Sequence, residues 1–95
     1  RMPDLAIAYK GRGGSYYYSE RIDFAMEDLE SALSIDPNLG GAHMYLGMIY
    51  RDQGDIIKAK EYLNTAVKLI HPVRERWEME VAVKALSDLN DKVVK

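Results

Sequence analysis

The chain has 95 residues, 47% of them hydrophobic and 29% charged, with no cysteine and a net charge of −2. That length and composition suit one globular domain with a thin core and exclude a disulfide framework, a thiol nucleophile and a cysteine-rich metal site. The acidic balance gives no basic patch for nucleic acid, and no apolar run approaches the roughly 20 residues of a membrane span or the pattern of a signal segment.

Pro3 suits the first turn of a helix, and the spacing of Leu5, Ala8, Tyr9 and Tyr16 predicts a first helix from about Asp4 to Tyr18. Gly11, Gly13 and Gly14 weaken it, each by roughly 1 kcal/mol relative to Ala, so fraying, bending or dependence on docking is expected. Ser19 is the expected N-cap of a second helix, in which Ile22, Ala25, Met26, Leu29, Ala32, Leu33 and Ile35 recur at helical spacing. Asp23, Glu27, Glu30 and Glu20 form a solvated acidic face. Asp36-Pro37-Asn38 ends that helix.

A third helix is predicted from about Gly41 to Gln53. Gly54 is placed as its C-terminal cap and Asp55 as the N-cap of the fourth. The fourth, from about Ile56 to Ile70, carries Ile56, Ala59, Leu63, Ala66, Val67 and Ile70 on one face, and His71-Pro72 stops it. A fifth helix, from about Val73 to Val93, bears a stripe of Trp77, Val81, Ala85 and Leu89, widened by Met79, Val83, Leu86 and Val93.

These helices repeat. Moving Ala42–Ala66 back by 34 residues places Gly47 on Gly13, Tyr50 on Tyr16, Ala59 on Ala25 and Ala66 on Ala32. Moving it forward by 34 places His43 on Trp77. Of these positions Gly13 has a reason to be small, the close approach of a neighbouring helix, whereas Gly11 and Gly14 have none in the register. Trp77, in register with His43 and Tyr9, is expected to pack.

Leu46-Gly47, Tyr50, Gly54-Asp55, Ala59, Ala66 and Asp36-Pro37 at this period resemble the tetratricopeptide repeat, a pair of helices with signature W-x2-L-G-x2-Y, A-x3-F and P. His43 stands where Trp is usual and Leu63 where an aromatic is usual. The resemblance implies an all-α, right-handed stack of antiparallel helix pairs. One domain spans 1–95: a first repeat at about 6–39, a second at about 40–73, and a capping helix at about 73–94. Gly13, Tyr16, Ala25, Ala32, Pro37, Leu46, Gly47, Tyr50, Ala59, Ala66 and Trp77 are its structural positions. Such arrays want about three repeats. With about two and a half here, self-association, a longer parent protein or an unusually good cap is expected, and the opening on Arg1 is what a fragment or processed product would show.

The resemblance also implies a non-catalytic role, with a peptide or helix of a partner held in a concave groove lined by the first helix of each pair. The groove residues are then Lys10, Tyr17, Tyr18, Met44, Met48, Arg51, Ala82 and Ala85, with charge substitutions at Met44 and Met48 expected to abolish binding without unfolding. Methionine adapts to varied partners, and tyrosine is favoured at interface cores. Family members that hold the terminal carboxylate of a chaperone tail use a clamp of Lys, Asn, Asn, Lys and Arg. Here only Lys10 fits, while Gly14, Tyr45, Glu75 and Met79 occupy the other places, so binding of such a tail is not expected.

Self-assembly through Met79 and Val83 of the last helix is the alternative. An enzyme is disfavoured, because no nucleophile–base pair, cofactor motif or metal set is present: His43 and His71 each lack a second ligand at metal spacing, and Gly11-Arg12-Gly13-Gly14 lacks the strand and Lys-Ser/Thr of a phosphate loop. Base stacking on Tyr16-Tyr17-Tyr18 would need nearby positive charge.

Overall fold

A computed structural model describes the backbone of residues 2–94 and the side chains of 4–90. It contains five helices: α1 (Met2–Tyr18), α2 (Ile22–Ile35), α3 (Gly40–Asp52), α4 (Ile56–Leu69) and α5 (Arg76–Val94), with no strand among the described residues. The fold is the all-α stack of helix pairs expected from the period. None of these helices is long and apolar enough to cross a membrane.

Small residues set how the pairs form. A methyl group added at Gly13 would lie 2.8 Å from Cγ of Leu29, and one added at Gly47 would lie 2.6 Å from Cγ of Leu63. The two helices of each pair therefore cross almost backbone to side chain, and the leucine fills the space a larger residue would need. Partners descend along one helix as they ascend along the other: Arg12 meets Asp28 and Tyr16 meets Phe24, so α1 and α2 are antiparallel. Ala25, Ala32, Ala59 and Ala66 are fully buried at the same register positions, and with Leu29, Leu46, Ile49, Leu63 and Leu89 they make one continuous core. The least extent of the molecule is 19 Å, about two helix diameters, so the stack is two layers thick.

The two hairpin turns share one device. After α1, the N–H of Glu20 donates to the carbonyl of Tyr17 and that of Arg21 to Tyr16; after α3, Gly54 donates to Arg51 and Asp55 to Tyr50. Both are the Schellman arrangement, which needs a left-handed residue at its centre. Gly54 supplies it at φ 85°, and Glu20 supplies it at φ 63°. Ser19 is consequently not the N-cap of α2. The turn consumes Ser19 and Glu20, and the cap falls on Arg21, whose side chain makes no capping bond. Asp55, the expected cap of α4, accepts from the N–H of Lys58 at 3.1 Å.

Three further expectations are corrected. Gly14 has a reason to be small: a methyl there would meet the Tyr45 ring at 2.5 Å, whereas at Gly11 it would meet nothing within 4 Å. α5 begins at Arg76 rather than about Val73, because Nδ1 of His71 accepts the N–H groups of Val73 and Arg74 and Glu75 accepts the N–H of His71, closing a turn first. The stripe that α5 buries is also rotated from the expected one. Glu78, Ala82, Ala85 and Leu89 are buried, while Trp77 is 53% exposed. His43 lies against Tyr62 of the second helix of its pair, and among the described residues no such second helix follows α5 to cover Trp77. Val93 lies outside the described side chains.

The other end behaves likewise. Leu39 is 9% exposed, but its counterpart Leu5 is 44% exposed, and Ala8 lies open where Ala42 is buried. Neither Leu5 nor Ala8 therefore belongs to the buried face expected for α1. A helix pair precedes Leu39 and Ala42 in the chain, whereas no described helix precedes α1.

Candidate functional site

The first helices of the repeats, α1 and α3, lie side by side and parallel, and α5 packs against α3 as well. Lys10 passes over Gly41, Gly14 touches the Tyr45 ring, and Tyr17 reaches Asp52, so residue numbers rise together along α1 and α3. Glu78 of α5 meets the same Gly41. This is the face on which the groove residues are expected.

The structure divides those residues into two groups. Met44, Met48, Ala82 and Ala85 are buried, Met44 and Ala82 completely. Because α1 and α5 flank α3 on both sides, the row one step round from the packing stripe is core as well. A charge at Met44 or Met48 would therefore break the core rather than edit an open surface. Lys10, Tyr17 and Arg51 are partly buried, and Tyr18 is 57% exposed.

At one end of the face, Nζ of Lys10 donates to Oε2 of Glu78 at 2.6 Å. The pair joins α1 to α5 across α3, and Gly41 is small because a methyl there would sit 2.6 Å from Glu78 Oε2 and 2.8 Å from Lys10 Cδ. Both side chains are mostly buried, at 15% and 11% exposure. Such a pair must be matched to offset the cost of leaving water. Glu78 Oε1 is buried without a hydrogen-bond partner among the described residues.

At the other end is a polar triangle. The Tyr17 hydroxyl donates to Oδ2 of Asp52 at 2.6 Å and accepts from Nη2 of Arg51 at 3.3 Å, while Nε of Arg51 donates to Oδ1 of Asp52 at 3.0 Å. Burial first, and then the hydrogen bond to Asp52, push the Tyr17 hydroxyl up to about 12. Tyr45 is likewise pushed up to about 12, by burial and then by the neighbouring Tyr18 and Glu78. Tyr17, Tyr18 and Tyr45 form an aromatic cluster with ring centres 5.1 to 6.2 Å apart, the spacing favoured for tilted and edge-to-face pairs. A cleft of about 480 Å³ opens beside it, lined by Tyr17, Tyr18, Glu20, Ile22 and Asp52.

Two charged residues with structural weight do not stand out in the sequence. Asp28, amid the acidic face of α2, is buried and takes a two-pronged pair from Arg12 at 2.6 and 2.9 Å. Its place three residues after Ala25 is the signal, since that spacing returns to the buried side. The hydrogen bond and charge of Asp28 raise the already high pKa of Arg12. Glu78 was legible only as the residue 34 after Met44, a position whose burial the register alone does not settle. Pro37 is exposed, and its carbonyl pairs with Nε2 of His43 at 2.8 Å. Leu46 is buried and Tyr50 partly buried, with the Tyr50 ring stacked on Tyr62 at 5.5 Å.

Residues 40–70, which hold α3, its turn and α4, match the family model for the tetratricopeptide repeat. Bacteriophage adsorption protein A of Escherichia coli (strain K12) is 35% identical over 63 residues, which is 66% of this chain and 6% of that protein. The chain thus spans a small fraction of that relative's length. Residues 40–70 are thus a tetratricopeptide repeat, and α1–α2 carries the same glycine, tyrosine and alanine register.

Proposed function

We propose that this chain is a non-catalytic protein-interaction module, and that a partner's peptide or helix docks along α1 and α3 at the end marked by Tyr17, Tyr18, Arg51 and Asp52. Tetratricopeptide repeats as a family serve protein–protein interaction, and the docking site is our reading. The observation that carries it is the aromatic cluster of Tyr17, Tyr18 and Tyr45, whose outermost ring, Tyr18, is more than half exposed beside an open cleft. Tyrosine and arginine are the residue types that anchor interfaces. The Lys10–Glu78 pair closes the opposite end, which directs a partner towards the tyrosines.

The test begins with selection of peptides from a displayed random library. The best binder is then titrated calorimetrically against the parent chain and against Tyr17→Ala, Tyr18→Ala, Arg51→Glu and, on the remote α4, Lys58→Glu. Loss of at least roughly tenfold in affinity for the first three, about 1.4 kcal/mol, with Lys58→Glu unchanged, is the expected result. Loss confined to Lys58→Glu would contradict it.

The second reading is assembly of copies through the ends of the stack. It is favoured by the exposure of Leu5 and Ile7 at one end and of Trp77 and Val83 at the other. Met79 is partly buried against the core, so Met79→Glu would strike the fold; Val83→Glu and Trp77→Glu are the cleaner probes. Light scattering that finds a dimer or larger species in the parent chain and a monomer in these variants would support assembly.

A further inference from the structure

The cleft beside Tyr18 has a chemistry of its own. Arg51 is committed to Asp52 and to the Tyr17 hydroxyl. The other carboxylate lining the cleft, Glu20, makes no hydrogen bond or ion pair among the described residues. Glu20 occupies the left-handed turn position that Gly54 fills in the second repeat, so only the first repeat carries an acid there. Next to it the Tyr18 ring stands at steep angles to Tyr17 and Tyr45, 69° and 85°, and Tyr18 is more than half exposed. An exposed aromatic ring and an unpaired carboxylate lining one cleft are the two halves of a receptor for a planar cation: the ring attracts it through its quadrupole, and the carboxylate pairs with it.

We propose that this cleft binds the guanidinium of an arginine side chain on the partner peptide, stacked on Tyr18 and paired with Glu20. The proposal rests on the groove reading above and gives the partner a charge: it is basic at this point of contact. Arginine fits better than lysine because its flat, forked cation both stacks and pairs.

The full chain is titrated with N-acetyl-arginine-N-methylamide while backbone amide shifts are followed by NMR, with N-acetyl-glutamine-N-methylamide as the neutral control. One side chain alone should bind at on the order of millimolar concentration. Saturable shifts over residues 17–22 and at Asp52, absent with the glutamine compound, are expected. Tyr18→Ala and Glu20→Gln should each weaken binding roughly two- to fivefold, and Lys84→Gln should not. The same shifts with glutamine, no saturation, or indifference to both substitutions would overturn the proposal. If arginine fails while selected neutral peptides still lose affinity on Tyr17→Ala, the cation site falls and the groove stands. If arginine binds here while no selected peptide depends on Tyr17 or Arg51, the cation site stands and the groove reading falls.

Discussion

Glu20 holds a backbone conformation at φ 63° that glycine adopts without cost. An L-residue with a side chain gives up roughly 1 kcal/mol there. Glu20→Gly should therefore raise stability by about 1 kcal/mol, seen as a higher urea midpoint with an unchanged slope, and at the same time remove the arginine site. A gain in stability with loss of binding is the pattern of strain retained for function. The turn was legible as a turn, because Tyr16 and Tyr50 share a register. Its left-handed centre was not, because Ser19 reads as a cap and glutamate carries no left-handed signal.

Tyr17 and Tyr45 supply a pH dependence at the same scale. Their folded pKa values, about 12, lie above the ordinary value of 10, so between those limits the unfolded chain ionises while the folded chain does not. The stabilisation is complete below pH 10 and is lost as pH rises through about 12. Tyr17 is only partly buried, so solvent screening holds its share of the loss to about 1 kcal/mol. Tyrosinate absorbance should show three of the seven tyrosines ionising late, because burial also raises the pKa of Tyr62, and the melting temperature should fall over this interval. An alkaline melting curve that stays flat would contradict the burial of these rings.

Among the elements, α1 separates what periodicity reveals from what packing decides. Its three glycines look alike in sequence, yet Gly13 abuts Leu29, Gly14 abuts Tyr45 and Gly11 faces open space. Gly11→Ala should stabilise by about 1 kcal/mol, whereas Gly14→Ala should destabilise by roughly 1 to 3 kcal/mol as Tyr45 is displaced. Chemical denaturation of the two variants checks the contrast, and equal gains would mean that Tyr45 does not pack on α1. The 34-residue period locates Gly13 because that residue lies between the helices of one pair. It is silent on Gly14, which touches the next pair. Trp77 is the converse case: it sits on the packing register, but its exposure depends on whether a second helix covers it. The start of α5 was obscured by the His71 turn, whose acceptor is a ring nitrogen, outside the usual Ser, Thr, Asp and Asn caps.

For the whole molecule, the Lys10–Glu78 pair joins residues 68 apart and ties the first helix to the last. Lys10→Ala leaves a buried carboxylate without its cation and should cost about 3 kcal/mol. Replacing both residues with Met should recover much of that loss, because the desolvation cost disappears with the charges. Urea unfolding of the single and double variants measures this, and additive losses would show that the pair is not coupled. The stack itself was legible because each repeat reuses one set of small residues. The depth of Met44 and Met48 was not, since burial of that row depends on flanking helices that the period does not position.

The most direct measurement is chemical-shift mapping of the parent chain with the best peptide from the displayed library. Docking on the first-helix face predicts the largest shifts at Tyr17, Tyr18, Arg51 and Asp52, with little change on the outer surface of α2 and α4. Largest shifts around Leu5 and Ile7, or around Trp77 and Val83, would contradict it and would assign the interaction to the ends of the stack.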